Sequence, residues 1–403
     1  MVSRALKFKN FFNLWSLFCL KRKRGVSTIR KRNVQPQWIM NFLLACFLSI
    51  ITVTTVISQK VDDTIWYNPV DHMNQFEGQG WANLEYQRLP EKAKANLREP
   101  VWNLSRHNAG VNIRFTTKSE KITIQYQVSG NHGMPHMPPT GVSGVDLYVK
   151  KDGNWLWCKG KYQFKNIIQY NFKIDNLTSK NQEYQLYLPL YNSVKNLQIG
   201  VLEKNEIIFQ PLDIQKPIVV YGTSIAQGAC ASRPGMAWTN IVSRKLSNPL
   251  INLAFSGNGR LEQELIELLT EIDASVYVLD CLPNLSPNKK RTKSEIQKRI
   301  INSVYALKKE HPKTPILLVQ HAGYSDGLVD FSRATVYTTL NDWLTEAYEQ
   351  LLSENISGLY MLTKEEIGLS NDAFIDGTHP TDLGMQQYAN AYEKVLNTIL
   401  KKK

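Results

Sequence analysis

Three side chains in two short segments could together activate a serine hydroxyl. Ser224 follows the unbroken apolar run 218–221, typical of a strand covered on both faces, and precedes a segment that can begin a helix. Open α/β sheets place their reacting groups at that edge. Further along the chain, Asp376 and His379 stand three residues apart, and a histidine oriented by a carboxylate can remove the serine proton. The alternative is that Thr223 or Ser224 only caps a helix.

The chain around Ser224 alternates between strand-like and helix-like segments. This alternation predicts a parallel sheet with helices on both faces. The predicted strands are 218–222, 250–254, 276–280, 315–319 and 357–361, and the predicted helices are 236–246, 261–271, 294–310, 333–353 and 383–400.

Residues 60–212 show a different pattern. Apolar and polar residues alternate at 111–115 and 122–126, and the dipeptide Asp152-Gly153 is a strong hairpin signal. Short strands separated by turns favour an all-β sandwich. We therefore predict three segments: a basic N-terminus with a signal peptide at 1–58, a β-sandwich at 59–212 and an α/β domain at 213–403.

The N-terminal segment predicts export. Residues 1–36 hold ten basic residues and no acid, out of a net charge of +13 for the whole chain, so the remainder is nearly neutral and nucleic-acid binding has no support. The uncharged apolar run 38–58 follows, as in a secretory signal peptide cleaved after Ser58, which indicates a periplasmic or extracellular protein. The alternatives are an uncleaved membrane anchor and a true start at Met40.

At four blocks the chain resembles the SGNH or GDSL hydrolase superfamily. Segment 222–224 resembles the nucleophile block, with threonine where aspartate is commoner; 252–259 is similar to the second block, and 376–379 fits the D-x-x-H block. The third block departs from the usual Gly-x-Asn-Asp, because 280–284 reads Asp-Cys-Leu-Pro-Asn. Segment 144–148, Gly-Val-Asp-Leu-Tyr, is similar to the GxDLY signature, which precedes GDSL-like lipase domains in bacterial exported proteins.

The resemblance implies a fold and a set of roles. The fold is a flavodoxin-like α/β/α hydrolase domain with a parallel sheet, and the activity is that of an esterase or lipase. Ser224 would be the nucleophile, His379 the base and Asp376 the group that orients the base. The oxyanion hole would consist of the N–H groups of Ser224 and Gly257 and the side-chain amide of Asn284. None of the cysteine spacings suits a metal, and we expect neither metal nor cofactor.

Four polar side chains near these blocks are candidates for substrate binding: Arg233, Asn258, Arg260 and His136. Arg233 and Arg260 follow the first and second blocks and could bind a polar or anionic group, although a solvated arginine is an equal alternative. His136 belongs to the proline- and glycine-rich loop 133–141, which we predict to reach the rim of the site.

Export, a sandwich domain and many aromatic residues favour carbohydrate recognition. We expect an exported serine esterase that removes O-acyl groups, above all O-acetyl groups, from carbohydrate. One alternative is a lipid-directed esterase or lipase, and another is a non-catalytic carbohydrate-binding protein on a decayed hydrolase fold. The expected partner is an acylated carbohydrate or another small ester, with membrane contact only through an uncleaved N-terminal segment.

Overall fold

The computed structural model describes residues 63–175 and 181–401. The predicted signal peptide, at 1–58, lies outside the described residues. Among the described residues, no helix combines the length and the apolar character that crossing a bilayer requires.

The first part of the chain forms two antiparallel sheets. The strands are β1 (Thr64–Tyr67), β2 (Phe76–Glu77), β3 (Asn112–Thr117), β4 (Lys121–Val128), β5 (Asp146–Lys151), β6 (Asn154–Cys158), β7 (Gly160–Phe164), β8 (Ile168–Lys173), β9 (Gln182–Tyr187), β10 (Val194–Leu202) and β11 (Ile208–Phe209). One sheet has the order β1-β10-β4-β8-β7, and the other has the order β11-β3-β9-β5-β6 with β2 paired to β3. Every second side chain is buried along β4 and β8, and the inward side chains of both sheets share one core that includes Phe115, Ile124 and Leu186.

The second part forms a parallel five-stranded sheet in the order β13-β12-β14-β15-β16. Its strands are β12 (Ile218–Gly222), β13 (Leu250–Ala254), β14 (Val276–Asp280), β15 (Ile316–Val319) and β16 (Leu359–Leu362). The last strand begins later than predicted because Gly358 takes a positive φ of 69°. Helices cover both faces of this parallel sheet. The predicted fold class, a sandwich followed by a flavodoxin-like α/β/α domain, is confirmed.

Both parts also contain helices. The α-helices are α1 (Glu99–Ser105), α2 (Pro139–Val142), α3 (Ser224–Gln227), α4 (Trp238–Leu246), α5 (Gln263–Leu269), α6 (Lys293–Glu310), α7 (Phe331–Ser353), α8 (Lys364–Ile367) and α9 (Asp382–Lys401). Short 3-10 helices lie at Pro69–Gln75, Glu91–Ala95, Pro234–Met236, Leu282–Asn284 and Asn371–Ala373.

Strand β12, which lies between β13 and β14, explains the three layers of the α/β domain. Its five residues are all buried, and successive side chains enter opposite cores. Val219 and Tyr221 pack in the core that includes side chains of α5, α6 and α7. Ile218 and Val220 pack in the core that includes α4 and α9, where Trp238 stacks on a tyrosine of α9 at 3.9 Å between ring centroids. A strand covered on both faces has no polar face, which is why its sequence does not alternate.

The sandwich and the α/β domain pack closely against each other. Leu89 and Val101 belong to the same core as α5, α6 and α7, and Tyr191 belongs to the opposite core. Arg88 is fully buried and donates to the carbonyl oxygens of Asn252 and Ala254 at 3.1 and 2.7 Å. Residues Asp62–Lys403 accordingly form one compact unit. The predicted boundary at 212 falls between β11 and β12 and stays a prediction.

Candidate active site

Ser224 is the first residue of helix α3, directly after strand β12. Gly222 ends the strand, and a Cβ at that position would lie 2.7 Å from the Cβ of Ala226, so only glycine allows so tight a turn from strand to helix. As the first helical residue, Ser224 has a backbone N–H without an acceptor inside the helix. The capping position belongs to Thr223, whose side chain makes no capping bond. The helix-cap alternative for Ser224 is therefore not what the structure shows.

The loop after the 3-10 helix Asn371–Ala373 places His379 beside Ser224. The Oγ atom of Ser224 lies 2.8 Å from Nε2 of His379, and Nδ1 of His379 lies 2.8 Å from Oδ2 of Asp376. With Asp376 accepting from Nδ1–H, Nε2 is left as the acceptor for the serine hydroxyl. The structure thus brings the three predicted catalytic residues together in the order that proton transfer from serine requires.

Asp376 is held as an anion in a fixed orientation. Its Oδ1 atom accepts from the backbone N–H groups of Thr378 and His379 at 3.0 and 2.8 Å. Burial raises the pKa of Asp376, but the hydrogen bonds from the His379 ring and from these two N–H groups outweigh it and hold the pKa below its ordinary value. The carboxylate consequently stays charged and can stabilise a protonated histidine.

Arg333, on helix α7, holds the same loop from outside, and no sequence motif could have identified it. Its Nη2 atom donates to the carbonyl oxygen of Gly377 at 3.2 Å and to Oγ1 of Thr378 at 3.0 Å. Its Nε atom bonds to Asp326 at 2.6 Å, and its guanidinium stacks on Tyr324 at 3.9 Å. Arg333 is therefore a positioning residue for the segment that carries Asp376 and His379.

The predicted oxyanion-hole residues lie on loops that follow neighbouring strands. Strands β13 and β14 both pair with β12, so the loops carrying Gly257 and Asn284 leave the same edge of the sheet as Ser224. Gly259 packs so closely on the end of β12 that a Cβ there would lie 2.0 Å from the carbonyl oxygen of Gly222. Its N–H donates to Oδ1 of Asn284 at 3.1 Å, which leaves the Nδ2 donor of that amide for another acceptor.

Asn258 has a different role from the substrate binding that we expected. Its Nδ2 atom donates to the carbonyl oxygen of Ser256 at 2.8 Å, and its Oδ1 atom accepts from Arg98 at 2.8 Å. The Ser256 carbonyl and the Gly257 N–H belong to one peptide plane and point in opposite directions. By holding that carbonyl, Asn258 fixes the direction of the Gly257 N–H. With both ends of its amide engaged, Asn258 supports the loop rather than the substrate.

The two candidate arginines also differ from each other. Arg260 donates from Nε and Nη2 to the carbonyl oxygen of Gly257 at 3.1 and 2.8 Å and remains partly exposed beside the second block. Arg233 instead forms an ion pair with Asp146 at 2.7 Å and lies over the ring of Trp157 at 4.4 Å. The expectation that Arg233 binds substrate is corrected by these contacts, because its guanidinium joins the α/β domain to the sandwich.

Asp146 is the aspartate of the Gly-x-Asp-Leu-Tyr signature, and its contacts give that signature a physical meaning. Its Oδ2 atom also accepts from the backbone N–H of Gly235 at 2.7 Å, and its Oδ1 atom accepts from Nε1 of Trp157 at 3.0 Å. Burial raises its pKa, while the ion pair and the hydrogen bonds oppose that rise. The signature thus marks the joint between the two parts of the chain.

The loop that carries His136 lies against the site. The ring centroids of His136 and His379 are 6.1 Å apart. Oγ1 of Thr140 donates to the carbonyl oxygen of Ser232 at 2.7 Å, and a Cβ on Gly141 would lie 2.2 Å from the carbonyl oxygen of Ala231. The sandwich therefore contributes a side chain beside His379 of the α/β domain, while substrate binding by this loop stays a prediction.

A cleft of about 390 Å³ borders this loop on the sandwich side. Tyr191 lines it and donates from its hydroxyl to the carbonyl oxygen of Ser224 at 3.2 Å. Its other lining residues are His107, Ser129, Gly130, Asn131, Gly133, Met134, Pro135 and Asn192. The cleft is mostly built from sandwich loops, so it could accommodate a part of a substrate remote from the reacting ester.

Comparison with known proteins identifies both parts of the chain. Residues 215–397 match the model of the GDSL-like Lipase/Acylhydrolase family. Residues 64–207 match the GxDLY model, described as the N-terminus of Esterase_SGNH_hydro-type. No curated protein matches this sequence.

Solved structures agree with this assignment. The chain is 32% identical to a GDSL-like lipase from Bacteroides ovatus ATCC 8483, with a TM-score of 0.77 over 84% of this chain and 98% of that one. Two more distant structures share the fold. They are the salicylyl-acyltransferase SsfX3 from a tetracycline biosynthetic pathway (17% identity, TM-score 0.67, 83% of this chain and 97% of that one) and a family two carbohydrate esterase from Clostridium thermocellum in complex with cellohexaose (12%, 0.50, 72% and 92%). The chain belongs to the GDSL-like lipase/acylhydrolase family of SGNH-type esterases and is a carboxylic-ester hydrolase.

Proposed function

We propose that this protein is an exported serine esterase that removes O-acetyl groups from carbohydrate, with Ser224 as the nucleophile. The observation that carries the proposal is the continuous chain of 2.8 Å contacts from Ser224 through His379 to Asp376. A serine, a histidine and a carboxylate in this order form the arrangement that acyl transfer uses on several unrelated folds.

The reaction would run in two steps. The Oγ atom of Ser224 attacks the ester carbonyl carbon while Nε2 of His379 takes the hydroxyl proton. His379 then gives this proton to the departing sugar oxygen, and an acyl-serine remains. In the second step His379 removes a proton from water while the water oxygen attacks the acyl carbon. His379 then returns this proton to Oγ of Ser224 as the bond between Oγ and the acyl carbon breaks, and the acetic acid released ionises to acetate. Asp376 stabilises the protonated imidazole in both steps.

The negative oxygen of each tetrahedral intermediate needs converging donors. The N–H groups of Ser224 and Gly257 and the Nδ2 of Asn284 would supply them. Two hydrogen bonds support Asn284 and Gly257 as oxyanion-hole donors. The N–H of Gly259 orients the side-chain amide of Asn284, and the side chain of Asn258 orients the peptide group before Gly257. Loss of one such donor typically raises the barrier by about 3–4 kcal/mol.

Two observations support a carbohydrate as the part of the ester substrate that carries the acyl group. The cleft beside Tyr191 offers room for a second sugar unit, and hydroxyls, amides and a histidine line it. A protein of the same fold, the family two carbohydrate esterase from Clostridium thermocellum, has a solved structure in complex with cellohexaose. We expect the sandwich loop with His136 to contact the polymer, while Arg260 contacts a polar group nearer the ester.

Acetate release tests the substrate proposal. We expect the purified protein to release acetate from acetylated polysaccharides and to prefer p-nitrophenyl acetate over esters of longer acids. The matched variants are His136→Ala and His132→Ala, since His132 lies in the same loop region and packs on Phe164 of the sandwich. His136→Ala should raise KM for the polymer more than for p-nitrophenyl acetate, and His132→Ala should not. Equal kinetics on both substrates for His136→Ala would remove the loop from substrate binding.

One observation favours a second candidate, a lipid-directed esterase. Leu328, Val329 and Phe331 are 85%, 83% and 79% exposed, in the segment that leads into α7 and Arg333. Adjacent apolar side chains with this exposure can bind acyl chains. A preference for octanoyl over acetyl esters that Leu328→Ser abolishes would favour the lipid substrate and exclude the acetyl-carbohydrate proposal.

Export is also part of the proposal, since the basic start and the apolar run 38–58 have the order of a signal peptide. The mature protein should then begin at Gln59, which mass spectrometry of the exported form can determine. An exported protein that retains 38–58 would support the membrane-anchor alternative instead.

A further inference from the structure

Three potential metal ligands, one of them the histidine of the triad, lie close together: His136, Cys230 and His379. One ligand atom of each lies within 4.8 Å of the other two. His136 comes from the sandwich loop, and Cys230 comes shortly after helix α3. We propose that this cluster binds Zn²⁺ and that the bound ion switches off ester hydrolysis. The site is inhibitory, and it is distinct from a catalytic metal centre, which we do not expect here.

The donor atoms decide which ion fits. Two imidazole nitrogens and one thiolate sulfur suit Zn²⁺, whereas Mg²⁺ and Ca²⁺ prefer oxygen ligands. Zinc bonds of about 2.0–2.3 Å require ligand atoms to be roughly 3.3–3.8 Å apart in a tetrahedron. The present separations of up to 4.8 Å therefore need to contract by at most about 1–1.5 Å on the same geometric basis. His136 is exposed and can supply most of that movement.

Cys230 has an unusual backbone conformation. Its φ is +67°, in the left-handed region that residues other than glycine rarely adopt. Cys230 is 6% exposed, and burial, with the Asp376 carboxylate as a second cause, raises the pKa of its thiol to about 12. A bound metal must therefore displace the thiol proton. Glycine would adopt this backbone conformation without strain, yet the residue here is a cysteine, and its sulfur atom lies beside two histidines.

Metal binding must stop hydrolysis because both ring nitrogens of His379 already have partners. Nε2 contacts Oγ of Ser224, and Nδ1 contacts Oδ2 of Asp376, each at 2.8 Å. A metal on Nε2 occupies the lone pair that accepts the serine proton. A metal on Nδ1 displaces Asp376 and removes the group that orients the ring. Either mode of binding gives complete inhibition rather than a partial loss of rate.

The inhibition experiment uses two cysteine variants. Cys230→Ala removes the sulfur ligand, and Cys158→Ala removes another buried free cysteine, in the sandwich strand β6. With p-nitrophenyl acetate, Zn²⁺ should inhibit the wild type and Cys158→Ala equally and reversibly, with recovery on addition of EDTA. Cys230→Ala should keep its metal-free rate and need at least about tenfold more Zn²⁺ for half inhibition, since even indirect supports of a metal site contribute about 10–100-fold. Equal sensitivity of Cys230→Ala and the wild type, or an insensitive wild type, would overturn the proposal.

Cobalt provides a readout that does not depend on activity. Co²⁺ should give a thiolate-to-metal absorption in the wild type, in Cys158→Ala and in the inactive Ser224→Ala, but not in Cys230→Ala. Because Ser224→Ala keeps all three ligands, this result is independent of the proposed esterase mechanism. His136→Ala changes an exposed residue, and it replaces Cys230→Ala as the test variant if Cys230→Ala does not fold. It should weaken Co²⁺ binding at least about tenfold, and an unchanged affinity would exclude the cluster as the site.

Discussion

Replacing Arg333 by alanine should slow catalysis although Arg333 does not touch the reacting groups. The substitution removes two hydrogen bonds from a charged donor, to the carbonyl of Gly377 and the hydroxyl of Thr378. Both acceptors lie between Asp376 and His379. Without them, the loop can shift, and the 2.8 Å contact between His379 and Ser224 is no longer held in place.

The size of the effect follows from the number and setting of these bonds. A hydrogen bond to a charged group contributes about 1.5–3 kcal/mol. The Arg333 side chain is 31% exposed, and a backbone bridge between Phe374 and Pro380 also closes the loop, so only part of this energy is lost from the transition state. We expect the barrier to rise by about 1.5–3 kcal/mol, which corresponds to a loss of about 10- to 150-fold in kcat.

The assay is steady-state hydrolysis of p-nitrophenyl acetate below the unfolding transition, with Arg114→Ala as the control. Arg114 is a similarly buried arginine that pairs with Glu77 and Glu183 in the sandwich. Both variants should unfold more easily than the wild type, but only Arg333→Ala should lose kcat. A wild-type kcat in Arg333→Ala, or the same loss of kcat in Arg114→Ala, would refute the positioning argument.

Three further predictions concern the triad, the domain joint and a buried carboxyl group. If Asp376 and His379 act as a unit, the double alanine variant should be scarcely slower than His379→Ala in the same ester assay; fully multiplicative losses would contradict this. Asp146→Ala should lower the free energy of unfolding in urea by about 3 kcal/mol, because it leaves the Arg233 charge largely buried without its partner; no loss would show that the ion pair does not hold the joint. Burial raises the pKa of Asp280 to about 6, from 3.8, despite the hydrogen bond from Tyr392. The folded protein thus favours the protonated form, and stability is lost as the pH rises from about 3.8 to about 6. Between about pH 4.5 and about pH 7.5, Asp280→Asn should gain about 2 kcal/mol of unfolding free energy relative to the wild type, and a difference independent of pH would contradict the assignment.

The features that were predictable from the sequence are local ones. The apolar run 218–221, the turn at Gly222 and the serine after it follow one another directly, so the strand, the edge of the sheet and the position of Ser224 could be predicted together. The spacing of Asp376 and His379 is likewise local, since three residues suffice for the carboxylate to reach Nδ1. The order of the strands in the sheet follows from the fold class.

The features that were missed depend on residues far apart in the chain. Arg233 was assigned to substrate because its partner, Asp146, lies 87 residues earlier and on another sheet. Arg333 binds mainly a carbonyl and a hydroxyl, neither of which leaves a pattern in the sequence. The spacings of the cysteines argued only against a metal site built from cysteines. Cys230 comes close to His136 and His379 because the sandwich loop packs against the α/β domain, and no local spacing shows that contact.

The central claim is that Ser224 is the nucleophile of an esterase, and its most direct test is the turnover of p-nitrophenyl acetate by Ser224→Ala. The side chain is 7% exposed and small, so the variant should fold and unfold at nearly the wild-type temperature. We predict that its kcat falls by several orders of magnitude, as expected when a nucleophile is removed. Retention of more than about a tenth of the wild-type activity, on the same scale of effects, would contradict the account.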